Sequence, residues 1–232
     1  MTTSAPVSPL DHTPRLILAS ASRSRATVLR SAGTRPELIP ADVDEDEILA
    51  SLTDRPPADR VVALARAKAE RIASSLTTGA EAVIIGCDSM LLRDGQLSGK
   101  PHTEAATIAQ WRSQAGTTAE LITGHCILAV GEWAEVRLSP ASRRVEDTVA
   151  STIHFGTPSE TDILSYARSG EPWECAGAFT LEALGGWFID TVDGDPSSVL
   201  GISLPLVRRA LYQFGLSISD FWNAAQALKR HV

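Results

Sequence analysis

The chain of 232 residues carries a formal net charge of −7, with 44% hydrophobic and 21% charged residues. Such a balance suits a soluble globular protein whose core is large enough to stand without staples, and it argues against broad contact with a nucleic-acid backbone, which calls for a basic face. No apolar run approaches the roughly 20 residues needed to span a bilayer, so no membrane segment is expected. Residues 1–14 are rich in Ser, Thr and Pro. They lack the basic start and apolar centre of a signal peptide, and read as a flexible N-terminus ahead of one domain over 15–232. Cys87, Cys126 and Cys175 form no CxxC pair and leave an odd thiol, which fits free cysteines in a reducing, cytoplasmic setting.

In chain order, residues 16–19 read as a short buried strand. A small hydroxyl-rich turn, Ser20-Ala21-Ser22, feeds a helix over 23–32 that stops at Gly33. A strand passing into a helix through such a turn is a ready anion site, because the helix start offers free N–H groups and partial positive charge. Residues 42–47 are an acidic run, read as a solvated loop. A helix over 58–76 carries Val61, Leu64, Ala65, Ala69, Ile72 and Leu76 at helical spacing, with Lys68 the one charge in that buried stripe. Residues 82–88 read as a central strand ending in Asp88. The Asp94-Gly95 turn signal joins 90–92 and 96–97 in a hairpin. A helix over 103–114 and strands over 121–130 and 145–155 follow. Thr157-Pro158-Ser159-Glu160 reads as a capping box with Pro158 at the first helical position, opening a helix that ends at Gly170. A Gly-rich stretch, a strand over 187–192, a loop over 193–198 and a helix over 205–214 complete the chain. Helices and strands intermix and the hairpin adds antiparallel pairing, so the fold class is α/β with a mixed sheet.

Arg25, Lys68 and Lys100 are cations near turns or on a buried face, and Asp88 and Glu45 are carboxylates in suggestive places. Phosphoryl chemistry needs this mixture: cations to neutralise phosphate oxygens, and carboxylates to hold a divalent cation or activate water. Taken one at a time, each has a plain structural reading. Arg25 can be an exposed helix residue, Lys68 can snorkel, Lys100 can be loop charge, and Cys87 is a small core residue. The five histidines show no metal-ligand spacing, and neither a Gly-x-Ser-x-Gly elbow nor a P-loop is present. From the residues alone the reading stops at an α/β protein with a phosphate site.

Five blocks in order sharpen it. They are Leu16 to Ser22 with Arg25; Asp42-Val43-Asp44-Glu45; Leu64-Ala65 with Lys68-Ala69; Gly86-Cys87-Asp88-Ser89 followed by Gly99-Lys100-Pro101; and Gly170-Glu171-Pro172, Ala176-Gly177-Ala178-Phe179 and 194–205. Together they resemble the Maf family of septum-formation-inhibitor-like nucleotide pyrophosphatases. The resemblance implies two lobes of mixed α/β structure around a cleft. It also implies hydrolysis of a nucleoside triphosphate between its α- and β-phosphates with Mg²⁺ or Mn²⁺, the role being removal of non-standard nucleotides. By that resemblance Asp88 matches the catalytic proton acceptor and Glu45 its acidic partner at the metal. Ser20, Ser22, Arg25, Lys68, Ser89 and Lys100 match substrate-binding positions, and the complex would be a homodimer. The family's Pro-Arg-Arg stands here as Arg23-Ser24-Arg25, so Arg23 would supply a cation from a shifted position. Glu182, at a position tied to base selection, looks closer to the branch acting on 7-methyl-GTP, CTP and UTP than to one preferring dTTP and UTP. The alternative is a nucleotide-binding regulator of septum formation without catalysis.

Overall fold

The computed structural model describes residues 13–223. The flexible N-terminus expected over 1–14 therefore lies, apart from Thr13 and Pro14, outside the described residues. The elements in chain order are β1 (Arg15–Leu18), α1 (Arg23–Ser31), β2 (Glu37–Leu38), α2 (Glu45–Ala50), α3 (Pro57–Ser75), β3 (Ala82–Arg93), β4 (Gln96–Ser98), α4 (Glu104–Gln114), β5 (Thr118–Val130), α5 (Glu132–Arg137), β6 (Arg144–Phe155), α6 (Glu160–Arg168), β7 (Ile189–Asp193), α7 (Pro196–Val199) and α8 (Leu204–Gln213). The strands form one seven-stranded sheet in the order β2-β1-β3-β5-β6-β7, with β4 on β3. β1 pairs parallel with β2 and β3, and the remaining pairs are antiparallel. The expected mixed α/β sheet is the one observed.

The long strands β3, β5 and β6 pass between separate cores. On one face, Val83, Ile85 and Cys87 pack with Ala26 and Leu29 of α1 and Val207, Ala210 and Leu211 of α8. On the other, Ile84 packs with Ala65, Ala69 and Ile72 of α3. This is the two-residue alternation of a strand covered on both sides. Farther along, Leu91, Leu121 and Ile153 join Trp111, Phe155, Tyr166 and Phe179. Trp111 meets Phe155, Tyr166 and Phe188 edge-on at centroid distances of 5.7, 5.8 and 5.6 Å, each pair adding about 0.5–1.5 kcal/mol beyond burial.

Four expectations are corrected. Residues 82–88 do not end a strand: β3 runs on to Arg93, because Leu91 and Leu92 are apolar and pair with Leu121 and Glu120 of β5. Asp88 thus sits in mid-strand. The acidic run is not simply loop, since Asp44 caps Glu47 N–H and starts α2, where Glu45, Asp46 and Glu47 suit the positive helix start. The N-cap of α6 is Ser159 rather than Thr157. Ser159 Oγ accepts the N–H of Asp162 and donates to its carboxylate, so the cap falls two residues later, without the reciprocal bond of a box, and Pro158 precedes the helix. Part of the loop expected over 193–198 is the short helix α7, started by Asp195, which accepts from the N–H groups of Ser197 and Ser198.

Two glycines set how closely α3 lies on the sheet: a Cβ on Gly124 of β5 would meet the Val61 carbonyl oxygen at 2.7 Å, and Gly86 of β3 is tighter still. A Cβ on Gly86 would meet the Ala65 carbonyl oxygen at 2.2 Å and Ala69 N at 2.9 Å. With that atom absent, α3 settles onto β3 and its buried Lys68 reaches the next residue on the same face, Asp88.

Candidate active site

β1 pairs with β3 only as far as Ile85, and β4 rejoins β3 only at Leu91. Residues 86–90 therefore have an unpaired edge on that side. The hydroxyl turn after β1, the start of α1 and the charged residues of α2 and α3 gather around it.

On the α3 face, Lys68 Nζ lies 2.6 Å from Asp88 Oδ1 and 2.8 Å from Glu45 Oε1. The Lys68 and Asp88 side chains are 9% and 10% exposed, whereas Glu45 is 44% exposed. One ammonium thus joins two carboxylates from different helix and strand elements, and satisfies a buried charge that would otherwise be costly. Burial pushes the Glu45 carboxyl up. Lys68, through charge and hydrogen bond, together with Lys100 and Arg25, outweighs burial and leaves it below the ordinary carboxylate range.

On the opposite face of the same edge, the Arg25 guanidinium makes four hydrogen bonds. Nε donates to Gly201 O at 2.9 Å, Nη1 to Cys87 O at 2.8 Å and Ser20 Oγ at 3.2 Å, and Nη2 to Ser89 Oγ at 3.2 Å. Arginine has five N–H donors, so among the described residues one is left for a ligand. Gly201, at φ +98°, leaves room for this arginine: a Cβ there would meet Arg25 Nε at 2.9 Å. Ser22 caps α1 by accepting Arg25 N–H, and donates its own N–H to Ser20 Oγ. Ser89 Oγ also lies 3.0 Å from Thr123 Oγ1, which donates to Ser198 O at 3.0 Å.

A cleft opens from this cluster. Ser22, Ser24, Arg25 and Ser89 line one side, and Glu174, Cys175, Thr180 and Glu182 the other. Lys68, Asp88 and Glu45 belong to the adjoining face of the notch rather than to that lining. Lys100 is half-exposed and pairs with Glu174 at 3.5 Å, so it approaches from the far wall. Arg23 is not brought in: it is exposed at the first turn of α1 and forms no ion pair among the described residues. It is not among the residues that line the cleft. Thr123, Glu174 and Thr180 were not singled out in the sequence. Thr123 could have been found by counting β5 against β3, which sets it opposite Ser89. Nothing local marks the other two.

His125, paired across from Cys87, is a strut beneath the site. It is buried, and its Nε2 accepts Ser203 N–H at 2.8 Å at the start of α8. Burial, reinforced by Arg25 and Arg209 against the opposing influence of the Thr123 backbone and of Asp195, pushes the imidazole down to about 4 from an ordinary 6.5. The unfolded chain takes up this proton near 6.5 and the folded chain resists it until about 4. Stability is therefore complete above the unfolded value and declines as pH falls through this window, by on the order of 3 kcal/mol. Thermal melting between pH 7.5 and 4.5 should reveal the decline. His125→Gln, which keeps an acceptor for Ser203, should flatten it; equal slopes in both proteins would refute this role.

Cys87 is buried in the core, where desolvation raises its thiol to about 12, so it is no nucleophile. Among the described residues no group of three or more His, Cys, Asp or Glu could hold a metal ion by itself, and no helix is long and apolar enough to cross a membrane. The carboxylates of Glu45 and Asp88, both on Lys68, are hard oxygen donors of the kind that could join a divalent cation whose remaining ligands are phosphate oxygens and water.

Comparison with known proteins gives a consistent picture. The model of the Maf family, described as Maf-like protein, matches residues 15–214. A nucleoside triphosphate pyrophosphatase of Corynebacterium diphtheriae is 56% identical over 208 residues, covering 90% of this chain and 98% of the relative. Its namesake in Corynebacterium efficiens is 58% identical over 208 residues with the same coverage. That of Mycolicibacterium gilvum is 51% identical over 211 residues, again covering 90% and 98%.

Proposed function

The chain belongs to the Maf family, and from that premise we propose that it hydrolyses nucleoside triphosphates to monophosphate and pyrophosphate. The observation that carries the reading is the shared ammonium: Lys68 holds Asp88 and Glu45 together beside Arg25. A polyphosphate calls for cations on its oxygens, and its hydrolysis for carboxylates to hold a divalent cation or activate water; both are present at this edge of β3. The relatives' names agree.

In this reading the triphosphate lies along the open edge of β3. Asp88 takes a proton from water, whose oxygen bonds to the α-phosphorus as the bond to the α-β bridging oxygen breaks. Pyrophosphate leaves with the bridging oxygen, and the proton held by Asp88 returns to solvent. Lys68, Lys100 and the unspent N–H of Arg25 bind phosphate oxygens and stabilise the charge that grows on the leaving group. The N–H groups at the start of α1, behind Ser22, favour an anion in the same place. Glu45 and Asp88 are the residues that would hold Mg²⁺ or Mn²⁺, whose chemistry when bound is to neutralise phosphate oxygens.

The test is a panel of ribo- and deoxyribonucleoside triphosphates, 7-methyl-GTP included, with Mg²⁺ or Mn²⁺ and with products identified. Pyrophosphate and the monophosphate are expected in equal amounts. Orthophosphate as the first product, or binding without turnover, would defeat the proposal.

A further inference from the structure

The segment 180–185 is fastened at both ends to one carboxylate. Glu171 accepts from Thr180 Oγ1 at the near end, through a short hydrogen bond. At the far end it accepts Leu184 N–H at 3.2 Å and Gly185 N–H at 3.1 Å. Thr180 N–H is held as well, by Tyr166 Oη at 3.3 Å. Between the two attachments lie Leu181, Glu182 and Ala183. They form the tip of a closed loop stabilised by side-chain bonds rather than by a sheet ladder or a long helix.

That tip lies where two cavities adjoin. The polar cleft carrying Arg25 and Ser89 is lined by Thr180 and Glu182. A neighbouring, mainly apolar cavity is lined by Thr27, Val28, Leu181, Pro196 and Leu204, and shares Ser24, Glu182 and Leu200 with the first. Arg25 lines the other side of the cleft, Lys68 stands on the adjoining face, and Lys100 on Glu182's wall is paired with Glu174 at 3.5 Å. A carboxylate at the tip repels phosphate, and it is an acceptor only. What Glu182 can hold is a neutral N–H or O–H donor, which on a nucleotide belongs to the base or the sugar.

We propose that Glu171 is a positioning residue for substrate selection: it clamps the 180–185 loop so that Glu182 and Leu181 read the non-phosphate half of the triphosphate. The inference rests on the pyrophosphatase reading. Glu171 touches no reacting group in it, and acts through the loop. Both carboxylate oxygens are engaged, one by Thr180 and Gly185 and the other by Leu184. A carboxamide can keep only one of these acceptors, and turns an N–H₂ donor toward an N–H donor in place of the other.

The experiment compares wild type with Glu171→Gln and Thr180→Val in two measurements. Amide hydrogen exchange at Leu184 and Gly185 reports the clamp whether or not the protein turns over. kcat/KM across the triphosphate panel reports selection. In Glu171→Gln, exchange should accelerate at least tenfold at the one of these amides that meets the carboxamide nitrogen. The ratio between the best and worst nucleoside triphosphates should shrink by roughly tenfold, the worth of about one misplaced hydrogen bond. Thr180→Val, which removes one attachment, should change both in the same direction and by less. Unchanged exchange overturns the clamp. Faster exchange with a uniform fall across the panel overturns the role in selection. A wild-type protein that releases no pyrophosphate defeats the parent reading alone, and the exchange measurement still judges the clamp.

Discussion

Asp88→Asn should abolish pyrophosphate release, lowering kcat by on the order of 10³-fold, the usual loss when a positioned proton acceptor is removed. The side chain keeps its shape and can still accept a hydrogen bond from Lys68, which lies 2.6 Å from Asp88 Oδ1. It can no longer take a proton from water or offer a charged oxygen to a divalent cation. The variant should fold, because an amide in this buried position is cheaper to desolvate than a carboxylate. Lys68 would retain Glu45, 2.8 Å away. Product release measured at saturating triphosphate with Mg²⁺ and with Mn²⁺, beside a melting curve for each protein, checks this. A folded Asp88→Asn retaining activity within tenfold of wild type would remove Asp88 from the chemistry. A loss recovered by raising the cation concentration would make it chiefly a metal ligand rather than the proton acceptor.

Much of this site was legible before the fold was known, for reasons that differ by residue. Lys68 stood out because a charge in the buried stripe of a 3.6-residue pattern requires a partner, and the helix Pro57–Ser75 supplied the predicted stripe. Asp88 was marked by the apolar run before it. Its setting was misjudged, because a strand covered on both faces has no alternation to show where it ends, and β3 continues through Asp88 to Arg93. What makes Asp88 accessible is the gap between β1 and β4 along the edge of β3, a property of pairing that local sequence does not express. Arg23 is placed differently, exposed and outside the cleft lining. A cation two residues from Arg25 looks equivalent in sequence, yet on a helix that spacing turns side chains to different faces. Thr123 is reachable only by counting the β3–β5 register, and Glu171 acts through a loop 9–14 residues on, whose closure no local pattern expresses.

Lys68→Met should cost both stability and activity, and the way the two losses separate tests the central cluster. Methionine fits the same apolar channel between α3 and β3 but leaves Asp88 as a buried charge with no cation. Removing one partner of a buried pair costs about 3–5 kcal/mol, which in a chain this size lowers the melting temperature by roughly 10 °C. Glu45 adds little to that figure, since its side chain is 44% exposed and water replaces the lost partner. If the cost arises from the stranded charge, neutralising that charge should relieve it. The double variant Lys68→Met, Asp88→Asn should then melt above Lys68→Met alone, while remaining as inactive as Asp88→Asn. A purely steric role for Lys68 predicts instead that the two destabilisations add. Lys68→Arg separates the contributions further: it restores a cation for Asp88 and Glu45 but places a planar fork where a compact ammonium fits. Stability should return more fully than turnover, because holding two carboxylates together needs only charge, whereas binding a phosphate oxygen beside them needs the point geometry of Nζ.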